Sequence, residues 1–101
     1  MSKCGGFGPT TDVPDVPDVV YISYKMKPQV EVKTGKNFEE FIPTQYSSQV
    51  VAGTNYLIKV HVGGESYIHL LVFQDLLCRG GKISLSGVQE DKTKDDKLEP
   101  F

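Results

Sequence analysis

The hydrophobic positions in the first third of the chain follow a helical period. They recur at steps of three or four residues between Asp12 and Lys36, which places them on one face of a helix. These positions are Val19, Ile22, Met26 and Val30. Pro17 suits the first turn of such a helix, and Gly35 is a natural terminator. Pro28 removes one backbone hydrogen bond, so the pattern predicts either one bent helix or two shorter pieces.

After Gly35 the hydrophobic positions alternate, which is typical of strands. Strands are predicted over 38–48, 54–62, 67–74 and 82–89, with Gly-containing turns at 63–66 and 76–81. Pro43 cannot donate to a strand ladder, so the first of these strands is expected to carry a bulge or to lie at an edge. The charged residues 90–101 are expected to cover an edge of the sheet or to hang loose. The predicted fold is α+β, with one N-terminal helix packed on an antiparallel meander.

The alternation also assigns side chains to the two faces of the sheet. The inward positions are Tyr56, Ile58, Val60 and Val62 on one strand and Ile68, Leu70 and Val72 on the next. One register that fits these faces sets His61 directly opposite His69 on the outer face. Two histidines alone hold a metal only weakly, and no third ligand is visible. We therefore expect a pair of solvated histidines and no metal site.

Composition and charge narrow the class of protein. The chain has 101 residues, of which 39% are hydrophobic, and a net charge of -2. A single domain over 1–101 is expected, with the Gly-rich residues 1–11 as a flexible arm. The acidic balance argues against nucleic acid and against an anionic membrane surface as partners. Residues 1–6 lack the apolar core of a signal peptide, so a cytoplasmic location is expected.

Catalytic chemistry has little support. Cys4 and Cys78 show no zinc spacing and are expected to be reduced thiols. Cys78 with His61 or His69 could supply the atoms of a thiol nucleophile and its base, but one small core leaves no room for a substrate cleft beside it. Neither a phosphate-binding loop nor a GxSxG elbow is present in the sequence. We expect a binding module without enzymatic activity or cofactor.

The most informative segment is 49–53, which reads Gln-Val-Val-Ala-Gly between two predicted strands. Turns usually carry polar residues, because an apolar tip stays exposed to water unless a partner covers it. Two adjacent valines therefore favour a docking surface, and their β-branching stiffens the segment. A β-branched residue such as Val51 at a tight tip also predicts backbone strain. The alternative is that both valines continue a strand into the core.

Several motifs resemble the stefins, the intracellular type 1 cystatins. They are Gln-Val-Val-Ala-Gly-Thr-Asn-Tyr at 49–56, Ile-Lys-Val-His-Val-Gly at 58–63, His-Leu at 69–70, Val-Phe-Gln at 72–74 and Lys-Asp-Asp-Lys-Leu at 94–98. The resemblance covers the whole chain and is densest over 49–75. It implies the cystatin fold, in which a four- to five-stranded antiparallel sheet wraps one long helix. It also implies reversible, tight-binding, competitive inhibition of papain-like cysteine proteases such as cathepsins and papain.

The same resemblance implies a wedge of three segments that enters the protease active-site cleft. The implied binding residues are Cys4, Gly5 and Gly6 in the arm, Gln49, Val50, Val51, Ala52 and Gly53 in the first loop, and Leu76 and Leu77 in the second. Leu77 stands where the family usually has proline. A mainly monomeric chain is expected, with a domain-swapped dimer through the first loop as a further state. The alternative function is a stefin-like interaction or oligomerising protein that does not inhibit.

Overall fold

The computed structural model of the chain describes residues 7–13 and 16–101. Within these residues the regular elements are β1 (Thr11–Asp12), α1 (Pro17–Thr34), β2 (Ile42–Val51), β3 (Gly53–His61), β4 (Tyr67–Gln74) and β5 (Ile83–Lys92), with a short 3₁₀ turn at Leu77–Arg79. The strands form one antiparallel sheet in the order β1-β2-β3-β4-β5. The predicted α+β arrangement, one helix against an antiparallel meander, is confirmed.

The helix α1 is continuous, so the alternative of two shorter pieces is wrong. Pro17 occupies its first turn, and Gly35 ends it in the left-handed conformation with φ of 72°. The Gly35 N–H donates to the Glu31 carbonyl oxygen at 2.9 Å. The Glu31 carboxylate accepts from the Phe38 N–H at 2.8 Å, which fixes the path of the chain as it leaves the helix.

The core lies between α1 and the inner face of the sheet. It contains the predicted helix positions Val19, Ile22, Met26 and Val30 together with Ile58, Val60, Ile68, Leu70 and Val72 from the strands. Burying a side chain of this size contributes about 1.5–3 kcal/mol to folding. Val13 and Phe41 complete the core from short segments outside the regular elements, where no period marks them. This one apolar layer sets how the helix sits on the sheet.

The bounds of two strands, β2 and β5, differ by several residues from the sequence prediction. β2 begins at Ile42 and continues to Val51, whereas the alternation predicts residues 38–48. The bulge expected from Pro43 is present, because the register of β2 against β3 shifts between Pro43 and Gln45. β5 extends to Lys92 instead of ending at residue 89. Its last three residues are charged, and Lys92 pairs with Tyr67 of β4, which the alternation of hydrophobic residues cannot reveal.

Part of the segment predicted as a flexible arm lies along β2. Thr11 and Asp12 pair with Tyr46 and Gln45 as strand β1. Further toward the N-terminus, the Gly8 N–H donates to the Ser48 carbonyl oxygen at 2.9 Å. The buried Ser47 hydroxyl donates to the Gly8 carbonyl oxygen at 2.7 Å. This segment is therefore bonded to the sheet and runs antiparallel to β2, with Gly8 beside Ser48 near the C-terminal end of β2.

The register that would set His61 opposite His69 is not the one found. His69 lies opposite Lys59, and His61 lies opposite Tyr67. The turn sets this register, because the Val62 N–H donates to the Ser66 carbonyl oxygen at 3.0 Å and closes the hairpin one pair beyond His61. The expectation of a solvated pair fails for His69, whose exposed fraction is 1%.

The C-terminal segment 93–101 lies close enough to His69 for the Asp96 carboxylate to influence the pKa of that residue. Neither alternative from the sequence describes the segment fully, because it covers part of the outer face of the sheet. The Lys59 ammonium, on β3, donates to the Lys94 carbonyl oxygen at 2.6 Å. The Phe101 ring sits over Gly87 of β5, where an added Cβ would lie 3.1 Å from the ring. Outer-face side chains are thereby covered, and Lys59 and His69 are both buried.

Burial leaves the His69 ring without hydrogen-bond partners among the described residues. Burial lowers its pKa from 6.5 to about 4, and the nearby ammonium groups of Lys59 and Lys92 act in the same direction. The Asp96 carboxylate opposes them with a smaller effect. His69 therefore stays neutral in the folded protein at pH values where the unfolded chain binds a proton.

This difference predicts an acid-sensitive stability. Because the folded-state pKa lies below the unfolded one, folding loses stability as the pH falls from 6.5 to about 4. At pH 4 the free energy of unfolding is lower by about 3 kcal/mol because of this residue. His69→Leu should flatten the pH dependence of urea unfolding between pH 7 and pH 4. The control is His61→Gln, and equal slopes for wild type and His69→Leu would contradict the assignment.

The close packing around Gly53 in the β2–β3 hairpin leads to a second prediction about stability. Gly53 has φ of 122°, and a Cβ there would lie 2.5 Å from the Gln74 carbonyl oxygen and 2.7 Å from the Phe73 ring. Gly53→Ala therefore meets both an unfavourable backbone conformation and a steric clash. Gly63→Ala is the matched control, because Gly63 has φ of 110° with open space around it.

Both glycine variants should lose stability in urea unfolding, but by different amounts. Gly63→Ala should lose about 1–3 kcal/mol, the range for backbone strain alone. Gly53→Ala should lose more, because β3 must move away from β4 to accommodate the methyl group. Equal losses for the two variants would show that the close approach to Phe73 and Gln74 does not limit this position.

Candidate functional site

Two connections between strands meet at one end of the sheet. The pairing of Thr54 with Gln74 brings the start of β3 beside the end of β4. The β2–β3 tip and the β4–β5 connection are therefore neighbours. Together they line an open cleft of about 580 Å³, to which Val50, Val51, Leu76 and Leu77 contribute.

The first loop exposes apolar side chains on a rigid hairpin. Val50 and Val51 are the last residues of β2, yet 74% and 41% of their surfaces are exposed. They continue the strand, as one alternative predicted, but they do not enter the core. The Asn55 side-chain amide donates to the Gln49 side-chain oxygen at 2.8 Å across the hairpin. Ala52 is exposed at the reversal, and buried Gly53 begins β3.

The expected backbone strain at Val51 is absent. Among the described residues other than glycine, only Asp91 has a positive φ. At this tip the positive φ belongs to Gly53, at 122°. The reversal is therefore made where no side chain opposes it, and Val51 stays in extended conformation.

The second loop is held by its own backbone. The amide groups of Arg79 and Gly81 both donate to the Leu76 carbonyl oxygen at 2.9 Å, and the Gly80 N–H donates to that of Leu77 at 2.9 Å. The Asp75 carboxylate accepts from the Leu76 N–H at 2.8 Å. These bonds order the loop with leucine at position 77. Leu76 is 37% exposed and Leu77 is 85% exposed.

The third predicted segment, Cys4, Gly5 and Gly6, lies outside the described residues. The described chain nearest to it is held at Gly8, which bonds to Ser48 three residues before Val51. The part of the arm that the structure describes thus runs beside the strand that carries the first loop. The two loops are brought together, and the arm joins the sheet close to the first of them.

The residues considered for chemistry are not assembled. Cys78 is exposed in the second loop, whereas His61 lies at the opposite end of β3. His69 is buried on β4, and neither histidine lines the cleft. Over residues 7–13 and 16–101, no group of three or more His, Cys, Asp or Glu side chains could hold a metal ion. No helix in the same residues has the length and apolar character needed to cross a membrane.

The helix also contributes to the cleft, which the sequence analysis missed. Asp18, Tyr21 and Ile22 of α1 line it opposite the loops. Tyr21 is 60% exposed. One signal was present in the sequence, because Asp18, Tyr21 and Lys25 follow the same steps of three and four along a second helix face. That face is polar and aromatic, so it does not stand out in a search for the core.

Comparison with known proteins identifies the family. Residues 5–95 match the cystatin domain. The chain is 53% identical to Cystatin-A8 and 52% identical to Leukocyte cysteine proteinase inhibitor 1, both of Sus scrofa, over 93% of this chain and 91% of each relative. It is 46% identical to Cystatin-A of Homo sapiens over 87% of this chain and 90% of that protein. Together with one helix packed on a five-stranded antiparallel sheet, these matches show that the chain belongs to the cystatin family.

Proposed function

We propose that this chain inhibits papain-like cysteine proteases such as cathepsins by reversible, tight, competitive binding. The two exposed apolar loops that line one cleft carry this proposal. A relative that is named a cysteine proteinase inhibitor supports it, with 52% identity. We further propose that the protein acts in the cytoplasm and uses no cofactor.

The binding energy comes from apolar side chains that the free protein leaves in water. Val50, Val51 and Leu77 are all exposed at the loop end. Insertion into a protease cleft removes their surface from water, at about 25 cal/mol per Å² of apolar area. An interface of about 1,600 Å² in total is the usual size for protease–inhibitor complexes. The loops are already ordered by hydrogen bonds, so little conformational entropy is lost on docking.

Inhibition in this proposal is steric. The loops occupy the active-site cleft of the protease beside its thiol. Substrate cannot enter that cleft while they are bound. The arm at Cys4, Gly5 and Gly6 is proposed to pass the catalytic centre of the protease. Glycine has no side chain to anchor a peptide bond at attack geometry, so the arm is bound without being cleaved.

The monomer is the proposed inhibitory form. The first loop exists because β2 and β3 of one chain pair across Ala52, with Val51 opposite Gly53. In a domain-swapped dimer that opens at this point, β2 would run straight into β3 and the tip would be lost. Such a dimer would lack the first loop and would not inhibit.

Substitutions in the loops test the proposal. Val51→Asp and Leu77→Asp should each raise the inhibition constant for papain by about 30-fold or more, which is the effect of losing a central interface residue. Each variant places a charge where an apolar side chain is desolvated. The matched control is Val32→Asp, because Val32 is 84% exposed on α1 and does not line the cleft.

The measurement is titration of papain of known active-site concentration with monomer isolated by size exclusion. Wild type and Val32→Asp should remove activity stoichiometrically. If wild type leaves papain active, the proposal is wrong, and a non-inhibitory interaction protein becomes the better account. If both loop variants inhibit like the control, the loops are not the binding surface.

The arm makes a separate prediction. Deletion of residues 1–6 should speed dissociation from papain more than it slows association, because changes within one interface mostly affect the off-rate. The unfolding midpoint should not change, since the bonds of Gly8 to Ser47 and Ser48 remain. Dissociation is measured by displacement with excess substrate after dilution. An unchanged dissociation rate would remove the arm from the binding surface.

A further inference from the structure

We propose that Asp18 and Tyr21 on α1 form a fourth contact with the protease and receive a basic side chain from the rim of its active-site cleft. This inference rests on the proposed function and adds a determinant of specificity to it. It assigns a role to a helix face that lies outside both loops.

Continuity of the cleft is the first argument. The same cavity of about 580 Å³ is lined by Val50 and Leu77 from the loops and by Asp18 and Tyr21 from the helix. A protease that packs against the loops from this side also faces the first turns of α1. The site therefore has a helical wall as well as two loop walls.

Charge is the second argument. Asp18 and Asp75 bring two carboxylates to the lining, and no lysine or arginine among residues 7–13 and 16–101 lines it. Asp75 already accepts the Leu76 N–H at 2.8 Å. Asp18 is exposed and forms no ion pair with any residue in 7–13 or 16–101. The surface of the cleft is apolar with a negative wall, which complements an ammonium or guanidinium group.

The pairing of an aromatic ring with a carboxylate is the third argument. A cation is attracted to the face of a tyrosine ring and to a carboxylate oxygen, so the two groups together select a positive side chain. This ring already has one cation nearby, because the Lys25 ammonium lies 5.8 Å from the Tyr21 ring centroid. Lys25 does not line the cleft. The cleft-facing part of Tyr21 is left for a partner.

The helix holds these groups in place. Ile22 follows Tyr21 directly and is buried in the core, 2% exposed. The backbone of Tyr21 is thus fixed by packing and by helical hydrogen bonds. A contact on such an element is more rigid than one on a loop, and less entropy is lost when the partner docks.

The test is a charge series at position 18. Asp18→Asn should raise the inhibition constant for papain by about fivefold, and Asp18→Lys should raise it further, mainly through slower association. Wild-type inhibition should weaken with added salt, and this dependence should be shallower in Asp18→Asn. Glu65→Gln is the matched control, because Glu65 is exposed in the β3–β4 turn at the other end of the sheet and removes the same charge.

The aromatic contact is tested by a second variant and its matched control. Tyr21→Ala should weaken inhibition, whereas Tyr24→Ala should not. Tyr24 is 49% exposed on the same helix, packs beside Phe41 and does not line the cleft. Urea unfolding of each variant separates binding effects from stability, since Asp18 lies in the first turn of α1, where a negative charge favours the helix.

The outcomes distinguish this inference from the proposed function. If wild type inhibits and Val51→Asp does not, but the variants at 18 and 21 match their controls, the fourth contact is wrong and the loops stand. If Glu65→Gln weakens inhibition as much as Asp18→Asn, the effect comes from the net charge of the whole protein. The local contact at Asp18 is then also refuted. If wild type does not inhibit papain, both proposals fail.

Discussion

The rest of the structure depends on the burial of one helix stripe against one face of the sheet. Val19, Ile22, Met26 and Val30 fill the inner face of the sheet, and the pleat sends every second strand residue to the other side. This packing fixes the position of α1 on the sheet, and the bond from the Phe38 N–H to the Glu31 carboxylate then sets the path of the chain toward β2. The apolar loop ends can stay exposed because the core is already complete without them.

Much of this arrangement follows from local patterns. Steps of three and four residues mark the buried helix stripe, and alternation marks β3 and β4, because both periods reflect burial on one side of a regular element. Gly35 and Pro43 act through their own backbone geometry, so the helix end and the bulge in β2 are also local. The exposed loop valines were recognisable because an apolar turn conflicts with the usual polarity of turns.

What the sequence could not show depends on contacts between distant segments. Lys59 is buried and bonded to Lys94 of the C-terminal segment, and a charged tail gives no sign in the sequence of where it packs. The register of β3 against β4 is set by bonds inside the turn, which alternation does not specify. The helical wall at Asp18 and Tyr21 was missed because it exists only once the sheet brings both loops beside it.

The short strand β1 has a consequence for association between chains. Among the described residues, Thr11 and Asp12 pair with this edge of β2 as a strand, and the bonds of Val13 to Thr44 and of Gly8 to Ser48 continue the coverage on either side. Apart from the two-residue strand β1, β2 is the edge strand of the sheet. Within the part of the chain that the structure describes, its outer hydrogen-bonding groups are covered only by β1 and the residues beside it. Displacement of β1, for example by a proteolytic cut before α1, would expose the backbone N–H and C=O groups of β2. Another copy of the chain could then pair with them. The residues that hold the described part of the arm against β2 therefore also protect the protein from association through this edge.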